Sequence, residues 1–282
     1  MSDDKKGMKK ERCDTLIQER EVMSWQRNPQ PDDAGVKDMR AAVEKEPENA
    51  EKWMELGLAY ANVGYYREAA ECYSHAISID PFDWRFYRHR AHRFISCNLF
   101  QDGAADFTIA TRLNPKDWNC WYHLGLAYFL LEDYEKALEA YKTCYSLNET
   151  TDDLCASTDW YWMTLKRLGR DEEAQGLIDK GKPEMGEGLD GMGGLGYFNR
   201  IMVYKGVNPP ESLLPKEGDD NTALRLVTQG FGLANYYNTI GEEEKCVEML
   251  KKVVQAGAAS RWYSAFGCLA AHVDLKRRGI AI

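Results

Sequence analysis

Two overlapping stretches satisfy the spacing G-x-G-x-x-G: Gly186-Glu-Gly188-Leu-Asp-Gly191 and Gly191-Met-Gly193-Gly-Leu-Gly196. In that spacing the missing side chains let a backbone close on a pyrophosphate at a helix N-terminus. The chemistry needs a buried strand immediately before the turn, whereas Asp171–Lys180 reads as helix and no β-rich run occurs in the chain. The glycines are therefore read as a linker, and no cofactor is expected. His89, His92 and His123, with Cys120 close to the last, are of metal-ligating types. They stand singly at helical positions with no CxxC pair, so no metal is expected either. HExxH, GxSxG, GxxxxGK[ST] and HxE…PCxxC do not occur. The chain is read as non-catalytic. The alternative, an enzyme site around Tyr197–Tyr204 and Trp262–His272, shows no acid, base and nucleophile set.

A different chemistry stands out in Trp84–Phe94, which holds four arginines and two histidines. The chain of 282 residues has 36 basic against 45 acidic residues and a net charge of −9. That field repels nucleic acid and anionic membranes, so neither is an expected partner, and the arginine-rich segment is a local exception suited to an acidic partner. The alternative is that its arginines pair internally with Glu51, Glu55 and Asp159. Composition is globular, 44% hydrophobic and 29% charged. The eight cysteines are scattered as in a reduced protein. No window is apolar enough to span a membrane, and the charged opening residues carry no secretory h-region, so a cytoplasmic location is expected.

The elements that must position these residues follow an internal period. Pro47, Pro81 and Pro115 stand 34 residues apart. Asn49, Asp83 and Asp117 follow each proline by two residues, where they can cap a new helix while the proline ends the old one. Further columns run Trp53, Tyr87, Trp121; Gly57, Ala91, Gly125; Tyr60, Phe94, Tyr128; and Ala69, Gly103, Ala137, followed by Tyr73, Phe107, Tyr141 and Ala76, Ala110, Cys144. Trp53, Gly57 and Tyr60 share one stripe of a helix. The small residue lets the partner helix approach, and the aromatics fill the space on either side. Turns are expected at Val63–Tyr66, Asn98–Gln101 and Leu131–Tyr134.

Trp53-x2-Leu56-Gly57-x2-Tyr60 followed by Ala69, Tyr73, Ala76 and Pro81 resembles the tetratricopeptide repeat, across 50–83 in full and across 84–117 and 118–151 nearly so. The departures are Arg90 in place of leucine, Cys144 of alanine and Glu149 of proline. The resemblance implies an all-α, right-handed superhelix whose first helices line a concave groove. Carried onto this sequence, the groove positions are Met54, Leu58 and Asn62 in the first unit, Arg85, Arg88 and His92 in the second, and Asn119, Tyr122, Leu126 and Phe129 in the third. A degenerate fourth unit adds Ala156, Asp159, Met163, Lys166 and Arg167. The carboxylate clamp of co-chaperone repeats is missing, since its positions hold Met54, Leu58, His89, Asn119 and His123. The third unit's first helix, apolar nearly all round, must face more than its hairpin partner. A bound peptide, neighbouring repeats or the chain's own C-terminal hairpin are the candidates.

The expected organisation is a polar arm over 1–13, a repeat array over 14–185 with degenerate units at 16–49 and 155–185, and a glycine- and proline-rich linker with a short helix over 186–221. A helical hairpin and capping helix over 222–282 close the chain. The expected function is a scaffold or adaptor that holds a protein segment with acidic and apolar residues in the concave groove. The alternative is a self-associating subunit, a homo-oligomer.

Overall fold

The computed structural model describes residues 30–189, 193–216 and 221–281. The expected arm over 1–13 and the first helix of the degenerate unit at 16–49 lie outside the described residues. Among the described residues every regular element is helical, as the period predicts. Two compact units divide at residues 127 and 128.

The first unit contains α1 (Ala34–Lys45), α2 (Ala50–Asn62), α3 (Tyr66–Ile79), α4 (Trp84–Ser96), α5 (Phe100–Leu113) and most of α6 (Trp118–Leu130). The capping column works as expected. Asn49 Oδ1 accepts from the Glu51 amide at 3.1 Å, Asp83 Oδ1 from the Arg85 amide at 2.9 Å, and Asp117 Oδ1 from the Cys120 amide at 2.7 Å. The tryptophan and proline columns are tied together: Trp53 Nε1 donates to the Pro47 carbonyl at 2.8 Å and Trp121 Nε1 to that of Pro115 at 2.9 Å. Each bond fixes the entering loop to the helix it precedes.

Within the α2–α3 hairpin the glycine column sets the approach. A Cβ on Gly57 would stand 2.5 Å from the ring of Tyr73, itself wholly buried with Ala69 and Ala76. In the α4–α5 hairpin a buried ion pair replaces the usual leucine. Arg90 donates through Nε and Nη2 to both Asp106 oxygens at 2.6 and 2.8 Å, and through Nη1 to Ser74 Oγ on α3 at 3.0 Å. The departure at Arg90 is thus matched by Asp106, an acid on the facing helix.

The second unit holds α7 (Tyr134–Ser146), α8 (Thr151–Arg167), α9 (Asp171–Ile178), α10 (Gly194–Tyr204), α11 (Thr222–Thr239), α12 (Glu243–Ala258) and α13 (Phe266–Arg277). Thr150 and Asp153 form a reciprocal capping box that starts α8 four residues before the expected unit at 155. α10 packs tightly: a Cβ on Gly194 would collide with Asp152, and one on Gly232 of α11 with Arg200 of α10. None of the described helices is long and apolar enough to cross a membrane.

The side chains of Arg90 and Asp106 are 20% and 7% exposed. Breaking such a pair leaves a charge without its counter-ion in the interior. Arg90→Leu should therefore cost about 3–5 kcal/mol in urea unfolding, and Arg90→Leu with Asp106→Ala should recover most of that loss.

Candidate functional site

The four arginines of α4 divide into two pairs with different surroundings. Arg85 is neutralised by carboxylates, with Nη1 and Nη2 donating to the two Glu51 oxygens at 3.2 and 2.9 Å and Nε and Nη2 donating to Asp83. Arg90 is held by Asp106. Among the described residues no carboxylate lies within ion-pair distance of Arg88 or Arg93. Arg88 donates through Nε to Asn119 Oδ1 on α6 at 2.9 Å. The Arg93 guanidinium lies over the Tyr66 ring at 4.9 Å and donates through Nη2 to His92 Nδ1.

These two guanidinium groups are ends of one polar chain. The His92 and His123 rings are 4.8 Å apart, and His123 Nδ1–H donates to the Asn119 carbonyl at 2.8 Å. Asn119 in turn holds Arg88, so Arg93, His92, His123, Asn119 and Arg88 run contiguously across α4 and α6. The bonds assign the tautomers: His92 accepts at Nδ1 and His123 carries its proton there. His123 also stacks on Phe107 at 5.5 Å, and His89 on Tyr73 at 5.4 Å. Burial pushes the His123 imidazole down to about 3 and, with help from Arg88 and Arg93, that of His89 to about 4. His92 is lowered likewise, by burial first and Arg93 next. All three rings are neutral at pH 7, and the charge of the cluster is that of its arginines. Burial raises the Cys120 thiol, and no group of three or more His, Cys, Asp or Glu among the described residues is placed to hold a metal ion.

The other expected groove residues differ in accessibility. Asn62 is exposed, Leu58, Arg85, Arg88, His92 and Asn119 are half-buried, and Met54 is 7% exposed. Tyr122, stacked on Trp118 at 4.8 Å, and Leu126 are buried. Phe129 belongs to the second unit and is closed off within it: it meets Tyr134 and Trp160 edge-on at 5.3 and 5.2 Å, and Arg167 lies over its ring.

The fourth repeat's inner positions are taken by the chain itself. Asp159 pairs with Arg200 of α10 at 2.8 Å, both essentially inaccessible, and Met163 Sδ accepts from the same guanidinium at 3.4 Å. Arg167 binds Asn235 of α11 at 2.9 Å and Asp274 of α13. Trp160 stacks on Phe231 of α11 at 5.9 Å, and Glu132 meets Arg277 at 3.2 Å. Burial lifts the Asp159 carboxyl to about 6, with Arg200 acting against it. Of the internal pairings open to the α4 arginines, Glu51 takes Arg85, while Glu55 binds Lys52 and Asp159 binds Arg200. The glycine motifs fall partly outside the described residues. What precedes them is α9 and a 3-10 turn at Pro183–Gly186, with no strand among the described residues.

Arg93 was not among the expected groove positions. Its signal in the sequence is the helical spacing His89–Arg93, which puts a cation one turn from an imidazole on the same face.

Comparison with known proteins adds the following. Tetratricopeptide repeat models match residues 50–83 and 118–150. Over 77 residues the chain is 35% identical to the heat-shock protein cognate co-chaperone sgt12 of Aspergillus fumigatus, covering 27% of this chain and 23% of that protein. Over 88 residues it is 32% identical to the mitochondrial import receptor subunit TOM70 of Homo sapiens, covering 29% and 14%. The chain spans less than a quarter of the length of these relatives. Among solved structures, YrrB, described as a TPR protein with an unusual peptide-binding site, is similar at 17% identity and a TM-score of 0.49, over 85% of this chain and 98% of that one.

The histidine shifts give a pH dependence. Because the folded rings of His89 and His123 bind protons less readily than the ordinary 6.5, the unfolded chain takes up protons first as pH falls. The unfolding free energy should therefore decline between about pH 6.5 and about pH 4. By NMR, neither ring should titrate above pH 5, on the order of two units below an exposed histidine.

Proposed function

We propose that this chain, which matches tetratricopeptide repeat models over 50–83 and 118–150, is a non-catalytic protein-interaction scaffold whose partner segment lies on the inner face of the first three repeats. The observation that carries this reading is a contrast between equivalent positions. In the fourth repeat, Asp159, Met163 and Arg167 are held by α10, α11 and α13 of the same chain. In the first three, Leu58, Asn62, Arg88, His92 and Asn119 keep accessible surface. Leu58 offers an apolar contact at the first helix, while Arg88 and Asn119 offer directed donors at the second and third. Tyr122 and Leu126, both buried, serve as the packed floor behind that surface rather than as its contacts. A cytoplasmic setting accords with seven buried free cysteines among the described residues. The relatives' names attach to proteins several times longer than the matched stretch, so their partners are not carried over.

Site-specific photocrosslinking in cells tests the reading. A crosslinking residue at Asn62, on the inner face, should give discrete adducts with a second protein, and one at Ala105, exposed on α5, should not. Leu58→Asp should reduce the Asn62 adduct about tenfold with the helical content unchanged. Equal adducts from both sites would overturn the inner-face reading. Adducts made only of this chain would replace it with self-association.

A further inference from the structure

We propose that Arg88 and Arg93 form a subsite for an oxyanion that accepts two or more hydrogen bonds, a carboxylate or phosphate group borne by the partner segment. The inference rests on the inner-face reading above and names the chemistry that anchors the segment.

The first support is electrostatic. In an acidic chain, Arg85 and Arg90 on the same helix are each bound by carboxylates through two or more donors, yet Arg88 and Arg93 have none within ion-pair distance among the described residues. Both residues are half-buried, and burial holds the Arg93 group below its usual range, with Arg88 adding repulsion. Like charges partly removed from water without a counter-ion are unfavourable, and an arriving anion relieves that cost.

The second support is the donor geometry. Each guanidinium presents five N–H groups in a planar fork. Arg88 engages Asn119 through Nε, and Arg93 engages His92 through Nη2. The Nη groups of Arg88 and the rest of the Arg93 fork remain to meet an acceptor, and a fork matches carboxylate and phosphate oxygens pairwise. The polar chain through His92, His123 and Asn119 fixes both ends, so little ordering is left for the moment of binding. Neutral imidazoles between the arginines add polar edges without adding charge. A metal cation is repelled by this cluster, and the net charge of −9 disfavours an extended polyanion, which leaves a single acidic group on a protein segment.

The test uses the full chain and NMR of the histidine rings at constant ionic strength in chloride. Inorganic phosphate is titrated first, then a capped triglutamate peptide, a capped peptide with one phosphoserine, and a capped triglutamine control. Saturable shifts of the His92 and His123 signals are expected with phosphate and at least one acidic peptide, and none with triglutamine. The acidic peptide that shifts them at the lower concentration identifies the source of the oxyanion. Arg88→Gln and Arg93→Gln should each weaken the response at least about tenfold, Arg88→Lys should be intermediate, and Arg112→Gln, exposed on α5, should change nothing. If Arg93→Gln fails to fold, Arg88→Gln decides alone. Absence of saturation with every anion, or an undiminished response in Arg88→Gln, would overturn the subsite. An Asn62 crosslink that persists in that event leaves the inner-face reading standing, and loss of the crosslink with the anion response intact would remove the reading and leave a bare anion site.

Discussion

The near-contact between Gly57 and the Tyr73 ring is the constraint on which the α2–α3 hairpin depends. A side chain on one helix can reach the axis of the other only where the first has none, and the aromatic ring then fixes both spacing and register. A small residue recurs in that column 34 residues on, as Ala91, and the first helices of the second and third units meet where Arg88 of α4 donates to Asn119 of α6. A binding surface assembled from helices far apart in sequence is only as well defined as these close approaches.

Disposal of charge is the second theme. Of the four arginines of α4, one is buried against Asp106, another is neutralised by Glu51 and Asp83, and two have no carboxylate within ion-pair distance among the described residues. The second unit leaves none of its inner-face charges so placed: Asp159 has Arg200, and Arg167 has Asp274. Equivalent positions in the series thus differ: Asp159 and Arg167 are paired within the chain, whereas Arg88 has no carboxylate partner among the described residues. A charge held away from water is costly without a partner, and the second unit meets that cost with acids and arginines of its own.

Much of the first unit was legible in the sequence because its determinants are local or periodic. Asn49, Asp83 and Asp117 cap helices by contacts two or three residues away, and the small and aromatic columns fix pairing by helical spacing. The predicted turns coincide with left-handed residues at Gly64, Asn98 and Glu132, one per repeat. The candidate site was only partly legible. The resemblance gave Arg85, Arg88 and His92 one status, although Asp83, two residues before Arg85, neutralises it and no carboxylate among the described residues pairs with Arg88. Phe129 reads as a groove contact on position alone. Its closure depends on Trp160 and Arg167, and theirs on Phe231, Asn235 and Asp274, bonds that span 68 and 107 residues and follow no period. Arg93 escaped because its importance lies in the lack of an acid nearby, which only three dimensions reveal.

Closure of the fourth repeat by α10, α11 and α13 also sets a ruler. With the usable surface confined to three first helices whose axes pack about 8–10 Å apart, its width is roughly 20 Å. An extended strand advances about 3.3 Å per residue, so some six residues suffice to traverse it. A span of that size matches the length of a short extended segment rather than the broad face of a folded domain.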